Sequence, residues 1–139
     1  MLSGECNCGA VAFKVAAHVT DIFVCHCSIC RKATGANGIP VIMVKNSSFA
    51  WERGIDSVKT WHKPVGDWQT SFCVHCGSTL PGPNREDSMY IPAGLLTEGA
   101  EGLRVAHHIL VGSKASWDII GDDGEIHLEA FKGNYEIPG

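Results

Sequence analysis

Apolar and polar residues alternate along much of this chain, with the two-residue period of a β-strand that buries one face. Val11, Phe13 and Val15 form the first such run, and residues 22–24 form a second. Turn-forming residues separate the later apolar runs. These later runs are residues 39–44, 48–51, 58–61, 68–73, 89–94 and 107–111. The pattern therefore predicts a mainly β protein built from many short strands.

A few segments depart from this pattern. Residues 27–35 read CSICRKATG and end in glycine, which predicts one or two turns of helix. Residues 81–87 are predicted to form a loop, and residues 133–139 are predicted to form a tail. The tryptophans are interpreted as core aromatics; they are Trp51, Trp61, Trp68 and Trp117. No linker divides the chain, so we expect one domain over residues 1–139, with its core at about residues 4–130.

Composition and charge exclude several classes of function. The 139 residues carry a net charge of -4, and lysine and arginine are scattered, so no nucleic-acid partner is expected. The longest apolar run, residues 39–44, is far too short to cross a bilayer, so no membrane association is expected. No secretory hydrophobic region follows Met1, which leads us to expect a cytoplasmic protein.

The seven cysteines are the main chemical signal. They occur as a CxC pair, a CxCxxC triad and a CxxC pair, and these spacings are typical of metal ligands. Disulfide bonds are the weaker interpretation, because an odd number leaves one thiol unpaired and no secretory signal is present. Iron–sulfur binding is an alternative, but the familiar cluster spacings are missing. Zinc is therefore the expected metal.

The spacing favours a division into four and three ligands. Cys6 and Cys8 lie two apart at a strand entrance and point to one side, and with Cys73 and Cys76 they could close a tetrahedral site. Three cysteines at a strand end and a first helical turn then remain together, with one coordination position free. These are Cys25, Cys27 and Cys30. Two alternatives stay open: Cys30 could be a buried core thiol, or His26 or a distant histidine could complete a second closed site.

An open site with three thiolates has a chemical preference. Three thiolates and one zinc ion carry a net charge of -1, which weakens activation of water and favours a soft sulfur as the fourth ligand. We therefore expect an enzyme that makes or breaks carbon–sulfur bonds in thiol adducts, with a small thiol or thiol adduct as its partner. The alternatives are a non-catalytic, zinc-stabilised binding module and a thiol-based redox or metal-handling protein.

Histidines add fewer constraints. Of the neighbouring pair His107 and His108, only one can face the interior side of a strand, and His108 is the better candidate for a place near the metal. A half-buried polar strand residue is the competing interpretation. His26 and His75 lie inside cysteine clusters, and we expect both to be exposed or to support the ligands from behind.

Several segments, in order, resemble the glutathione-dependent formaldehyde-activating enzyme (GFA) family, which includes the centromere protein V group. They are GECNCGAVAF, CHCSICRKATGA and FCVHCGSTL, followed by residues 90–95, His108-Ile109 and residues 113–117. The resemblance implies a β-tent fold of two packed antiparallel sheets with a short helical turn and two zinc ions.

The resemblance also implies roles for the cysteines. A structural zinc would lie on Cys6, Cys8, Cys73 and Cys76. A catalytic zinc would lie on Cys25, Cys27 and Cys30, where the glutathione thiol binds. The family activity joins formaldehyde to glutathione, which gives S-hydroxymethylglutathione and is classed as carbon–sulfur lyase chemistry.

Overall fold

The computed structural model describes residues 1–139 and contains twelve strands, one α-helix and four short 3-10 turns. Strands make up 40% of the chain and helices of both kinds 14%, so the predicted mainly β class is confirmed. No helix has the length and hydrophobicity needed to cross a lipid bilayer. The elements are β1 (Leu2–Glu5), β2 (Ala12–Val15), β3 (Asp21–Cys25), α1 (Ser28–Thr34), β4 (Ile39–Lys45), β5 (Phe49–Arg53), β6 (Val58–His62), β7 (Gln69–Cys73), β8 (Gly82–Arg85), β9 (Ser88–Pro92), β10 (Leu96–Glu98), β11 (Arg104–Ile109) and β12 (Glu125–Ile126).

The strands form two main sheets and one separate hairpin. The four-stranded sheet has the order β10-β1-β2-β5 and is antiparallel throughout. The six-stranded sheet has the order β12-β11-β3-β4-β9-β8, and β6 pairs with β7 alone. Strand β11 is parallel to both β3 and β12, so the larger sheet is mixed rather than wholly antiparallel as expected. This parallel pairing brings His107 opposite Phe23 and Ile109 opposite Cys25.

The main core lies between the two larger sheets. The alternation of β2 turns Phe13 and Val15 inward, and both side chains are fully buried. Ile42 and Val44 of β4 face them from the six-stranded sheet. Each such side chain contributes about 1.5 to 3 kcal/mol through burial. The pattern of alternating apolar residues is therefore what joins the two layers.

Strand β4 is apolar on both faces, and each face is covered. Val41 and Met43 point away from the core and line a cavity, together with residues of the C-terminal segment, residues 131–137. The Lys45 N–H donates to the carbonyl oxygen of Pro138 at 2.8 Å, which fixes the end of this segment. Phe131 and Tyr135 pack edge-on against Phe23, with ring centroids 5.4 and 4.9 Å away. Residues 133–139, which were predicted to form a tail, therefore pack over the larger sheet and cover it.

Two other expectations are corrected by the structure. The predicted loop at residues 81–87 contains β8, which is an edge strand. Pro83 is tolerated there because some backbone positions of an edge strand need no N–H for hydrogen bonding to a neighbour. Trp61 and Trp117 are 52% and 69% exposed, so they are not core residues. Trp61 lies on the two-stranded β6-β7 hairpin, and Trp117 lies in an irregular segment. Only Trp51, which packs edge-on against Phe13 at 6.5 Å, adjoins the main core.

Candidate metal centres

The four-cysteine cluster forms where the β1–β2 turn meets the end of β7. The Gly9 N–H donates to the Cys6 carbonyl oxygen at 2.9 Å and closes the turn that carries Cys8. On the other side, the Gly77 N–H donates to the Cys73 carbonyl oxygen at 2.8 Å. Gly77 has φ of +75°, a conformation that glycine adopts at low cost. Two tight turns therefore present two sulfurs each to one point.

The distances in this cluster fit a metal ion. The Sγ atoms of Cys6 and Cys8 are 3.6 Å apart, and those of Cys8 and Cys73 are 3.8 Å apart. All four sulfurs, including that of Cys76, lie within 4.8 Å of one another. Sulfurs that are bound tetrahedrally at 2.3 Å from zinc lie about 3.8 Å apart. The donor set and its spacing therefore suit a closed zinc site.

Backbone and hydroxyl donors stabilise negative charge on the Cys6 and Cys76 sulfurs. Hydrogen bonds from the Ser78 hydroxyl and backbone N–H lower the pKa of Cys76 to about 5. The Val11 N–H lies 3.3 Å from the Cys6 sulfur and donates to it. Cys6 and Cys73 are buried with Val11 and Leu80 in a second, smaller core. The cluster is thus part of the packing of this end of the protein, as expected of a structural site.

The three-cysteine cluster forms at the junction of β3 and α1. Cys25 ends β3, Cys27 caps the N-terminus of α1, and Cys30 lies in the first helical turn. The Cys27 sulfur accepts a hydrogen bond from the Cys30 N–H at 3.3 Å. The helix ends at Gly35, whose φ of +66° permits the left-handed cap. The three sulfurs lie within 4.8 Å of one another, on the elements that the sequence analysis assigned to them.

This cluster contains more potential charge than the protein alone can stabilise. A hydrogen bond from the Cys30 thiol lowers the pKa of Cys25 to about 6. In turn, the Cys25 sulfur and burial raise the pKa of Cys30. Without a cation, the three sulfurs therefore cannot all ionise together. The group contains no other His, Cys, Asp or Glu ligand atom, so as a donor set it consists of three sulfurs.

A buried polar chain lies on the opposite face of β3. His26 is 1% exposed, and its Nε2 lies 2.8 Å from Nδ1 of His108. The His108 Nε2–H donates to an Asp122 carboxylate oxygen at 2.7 Å, and this bond lowers the pKa of Asp122. Burial and the neighbouring His108 lower the pKa of His26. Of the two roles expected for His26, the structure therefore favours the second. His26 is not exposed, and it supports the cysteine-bearing strand from behind.

His108 is interior, as the sequence analysis favoured, but it contacts His26 rather than a cysteine. Residues 26 and 108 meet because β11 runs parallel to β3. The Nδ1 atom of His26 has no hydrogen-bond partner and lies 3.6 Å from the Asp118 carboxylate. The orientation of the His26 ring therefore depends on its bond to His108. The other expected supporter, His75, bonds instead to the Ser57 hydroxyl at 3.1 Å, beside the four-cysteine cluster.

A cavity of about 640 Å³ opens beside the three-cysteine cluster. Cys25 and Cys30 lie in its wall, and most of the other lining side chains are apolar. Its polar groups include Arg85, Glu136 and the phenol of Tyr90. Burial raises the pKa of Tyr90 to about 12. The Tyr90 hydroxyl therefore stays protonated and can donate a hydrogen bond into the cavity.

Sequence reasoning missed the residues that build this cavity, although two signals for them were present. The apolar run of β4 occupies both faces of the strand, which predicts cover on both sides. Tyr90 lies in one of the segments that carry the family resemblance, where only its strand was noted. The covering residues, Phe131 and Tyr135, had no signal beyond being aromatic in a polar segment.

The fold and the two sulfur clusters define a mainly β protein whose cysteines have the geometry of metal ligands. Residues 1–113 match the family described as "Glutathione-dependent formaldehyde-activating enzyme", and the chain belongs to this family. The match ends before β12 and the C-terminal segment begin. The resemblance found in the cysteine motifs is therefore confirmed for most of the chain.

Individual relatives agree with this assignment. A protein of Halomonas elongata, provisionally named a glutathione-dependent formaldehyde-activating enzyme, is 33% identical over 86 residues. The match covers 58% of this chain and 54% of the relative, so it spans about half the length of that protein. A crystal structure of a Rhodobacter sphaeroides protein has a TM-score of 0.55 at 23% identity and covers 70% of this chain and 88% of its own. This likeness shows a shared fold.

Proposed function

We propose that this protein is a zinc-dependent carbon–sulfur lyase or synthase that acts on thiol adducts, such as the adduct of glutathione with an aldehyde. One observation carries the proposal: three sulfurs converge beside a cavity of about 640 Å³, and no fourth protein ligand atom joins them. Such an arrangement is typical of a metal site that retains a position for substrate. The family and the Halomonas relative, both named for glutathione and formaldehyde, support this chemistry.

Both clusters have residues that suit zinc, and the proposal assigns them different roles. Cys6, Cys8, Cys73 and Cys76 would hold a structural ion. Cys25, Cys27 and Cys30 would hold the catalytic ion, which gives two zinc ions per chain for these clusters. When bound by these three residues, zinc would supply a soft Lewis acid that favours the thiolate form of a substrate.

The protein's own residues would position the electrophile. The apolar walls of the cavity, including Met43 and Ile109, can enclose an aldehyde carbon and exclude water. In the synthetic direction, the thiol sulfur bonds to the carbonyl carbon, the carbonyl π bond opens, and the thiol proton passes to the carbonyl oxygen. The Tyr90 phenol, which stays protonated up to a pH of about 12, can hydrogen-bond to that oxygen. The reverse step returns the aldehyde and the thiol.

The charges at the cavity bear on which thiol binds. Arg85 can pair with one carboxylate of glutathione, whereas Glu136 would repel a second one. Glutathione is therefore the first thiol to test, with smaller neutral thiols beside it. The aldehyde would lie against apolar side chains such as Met43 and Ile109, and the carboxylate would pair with Arg85.

Exchange spectroscopy by NMR tests the proposed reaction. The exchange rate between formaldehyde and its glutathione adduct would be measured with the zinc-loaded protein, with a Cys27→Ser variant and with Ser28→Ala as the matched control. Ser28 is the exposed neighbour of Cys27, so its hydroxyl can be removed without loss of a sulfur. We expect faster exchange with the wild type and Ser28→Ala, and the background rate with Cys27→Ser.

Other outcomes would contradict the proposal. Equal rates for the wild type and Cys27→Ser would separate catalysis from the three-cysteine cluster. No acceleration with glutathione or with any small thiol, in a folded protein with zinc at this cluster, would reject an enzymatic role. The non-catalytic zinc-stabilised binding module would then be the better account.

A further inference from the structure

A third group of metal-ligand side chains lies apart from the cysteines. His107 on β11 faces Glu125 and His127, which belong to β12 and the residue after it. His107 and His127 are mostly buried, with side chains 16% and 18% exposed, whereas the Glu125 side chain is 68% exposed. The first residue lies within the family match and the other two lie beyond it. The group therefore depends on the part of the chain that follows the family match.

The distances in this group approach those of a metal site. Nδ1 of His107 and Nε2 of His127 are 3.0 Å apart. The Glu125 carboxylate oxygens lie 3.7 Å from the His107 nitrogen and 3.8 Å from the His127 nitrogen. Ligands at about 2.0 to 2.1 Å from a tetrahedral zinc ion lie about 3.3 Å apart. Small side-chain adjustments would bring all three groups into coordination.

The backbone holds these side chains in place. The His127 N–H donates to the His108 carbonyl oxygen at 2.8 Å, and the Val111 N–H donates to the His127 carbonyl oxygen at 3.0 Å. The His107 ring also stacks on Phe23, with centroids 4.7 Å apart and planes inclined by 25°. Both imidazoles are therefore largely preorganised, and the exposed carboxylate can close on an ion with only small adjustments of the two rings.

The same group contacts the cover of the cavity. The Phe131 ring packs edge-on against both imidazoles, with centroids 4.9 Å from His107 and 5.2 Å from His127. Phe131 also lines the cavity that contains Cys25. A metal ion bound by both histidines would therefore hold Phe131, at the start of the C-terminal segment, against β11 at the edge of the cavity.

We propose that His107, Glu125 and His127 form a third metal site, which takes zinc or a similar divalent transition metal and fastens the C-terminal segment over the cavity. Two imidazoles and one carboxylate are a common ligand set for such ions. The ion would leave at least one position to water, because the group contains three ligands. Its role is to hold the cover closed, separately from the chemistry at the cysteines.

Cobalt binding distinguishes this site from the thiolate clusters. Protein with zinc at the two cysteine clusters only would be titrated with Co²⁺ and followed by calorimetry and by absorption. Only thiolate ligands give strong sulfur-to-cobalt charge-transfer bands, so binding at the histidines is recognised by their absence. The variants are His127→Gln and the milder Glu125→Gln, whose exposed side chain should not affect folding. His62→Gln, an exposed histidine on β6, is the matched control.

We expect the wild type and His62→Gln to bind one equivalent of Co²⁺ without charge-transfer bands. In Glu125→Gln this binding should weaken at least about tenfold, and in His127→Gln it should be lost. Hydrogen exchange of residues 131–137 should slow on binding in the wild type and in His62→Gln, but not in His127→Gln. The proposal would be overturned if no sulfur-free equivalent of Co²⁺ bound, or if both site variants bound Co²⁺ as tightly as the wild type. His107 and His127 would then share a simple hydrogen bond.

Discussion

The substitution His108→Ala tests the buried polar chain behind the cysteine strand. His108 is 4% exposed and joins His26 to Asp122 through bonds of 2.8 and 2.7 Å. Its removal leaves the Nε2 atom of His26 without a partner, and the Nδ1 atom already has none. The variant therefore places a fully unpaired imidazole next to an empty space inside the protein.

The expected cost follows from two contributions. A buried polar group without a partner costs about 1 to 3 kcal/mol. Removal of a buried ring of this size adds about 2 kcal/mol for the cavity. Together they predict a loss of about 3 to 5 kcal/mol, a large part of the 5 to 15 kcal/mol by which a typical domain is stable. For a domain of this length the melting temperature should fall by about 4 °C for each kcal/mol.

Urea unfolding, followed by circular dichroism in excess zinc, measures this cost. Asp122→Asn is the matched control, because it removes the outer member of the same chain. The Asp122 side chain is 43% exposed, so water can replace its bond and the loss should stay below about 1 kcal/mol. A cost below 1 kcal/mol for His108→Ala, or equal costs for the two variants, would refute this account of the chain.

Three further predictions follow from burial, cavity shape and charge. Ile42→Ala should lower the free energy of unfolding in urea by about 3 to 4 kcal/mol, because Ile42 is fully buried, whereas Trp117→Ser should lower it by less than about 0.5 kcal/mol, because Trp117 is 69% exposed. The reverse order would contradict the fold. Met43→Trp should fill the cavity and raise the KM for the thiol adduct with little change in stability, and an unchanged KM would place the substrate elsewhere. With zinc bound only at the four-cysteine cluster, the rate at which Cys25 is alkylated, measured by mass spectrometry, should rise through pH 6 and level off by pH 7 as the thiolate forms. A midpoint near the ordinary thiol pKa of about 8.5 would contradict the lowered pKa of Cys25.

The sequence was most informative where the chemistry is local. Alternation located most strands, and the i, i+2 and i, i+3 spacings gathered the cysteines into three local motifs, whose sulfurs converge in the structure as one set of four and one set of three. Local spacing suffices there because each short motif presents its own sulfurs to one side. The CxCxxC motif even includes its own cap, since the Cys27 sulfur accepts a hydrogen bond from the Cys30 N–H, one of the free N–H groups of the first helical turn.

Contacts between distant segments could not be predicted in this way. His26 meets His108 only because β3 and β11 are parallel, and a parallel pairing leaves no mark in the local pattern of either strand. The packing of Phe131 on Phe23, likewise, depends on where the chain returns after β12. Trp61 and Trp117 show the converse, because hydrophobicity alone does not reveal whether another layer covers a side chain.

The most direct test of the central claim counts the sulfurs around the metal at the three-cysteine cluster. With cobalt in both cysteine clusters, the charge-transfer band should report seven cobalt–sulfur bonds, one from each cysteine. Addition of glutathione should raise the intensity of the band by about one seventh in the wild type, because the glutathione sulfur would become the fourth ligand of the cobalt ion at the three-cysteine cluster. An unchanged band at saturating thiol, with Cys25, Cys27 and Cys30 all bound to cobalt, would show a closed site and contradict the proposed chemistry.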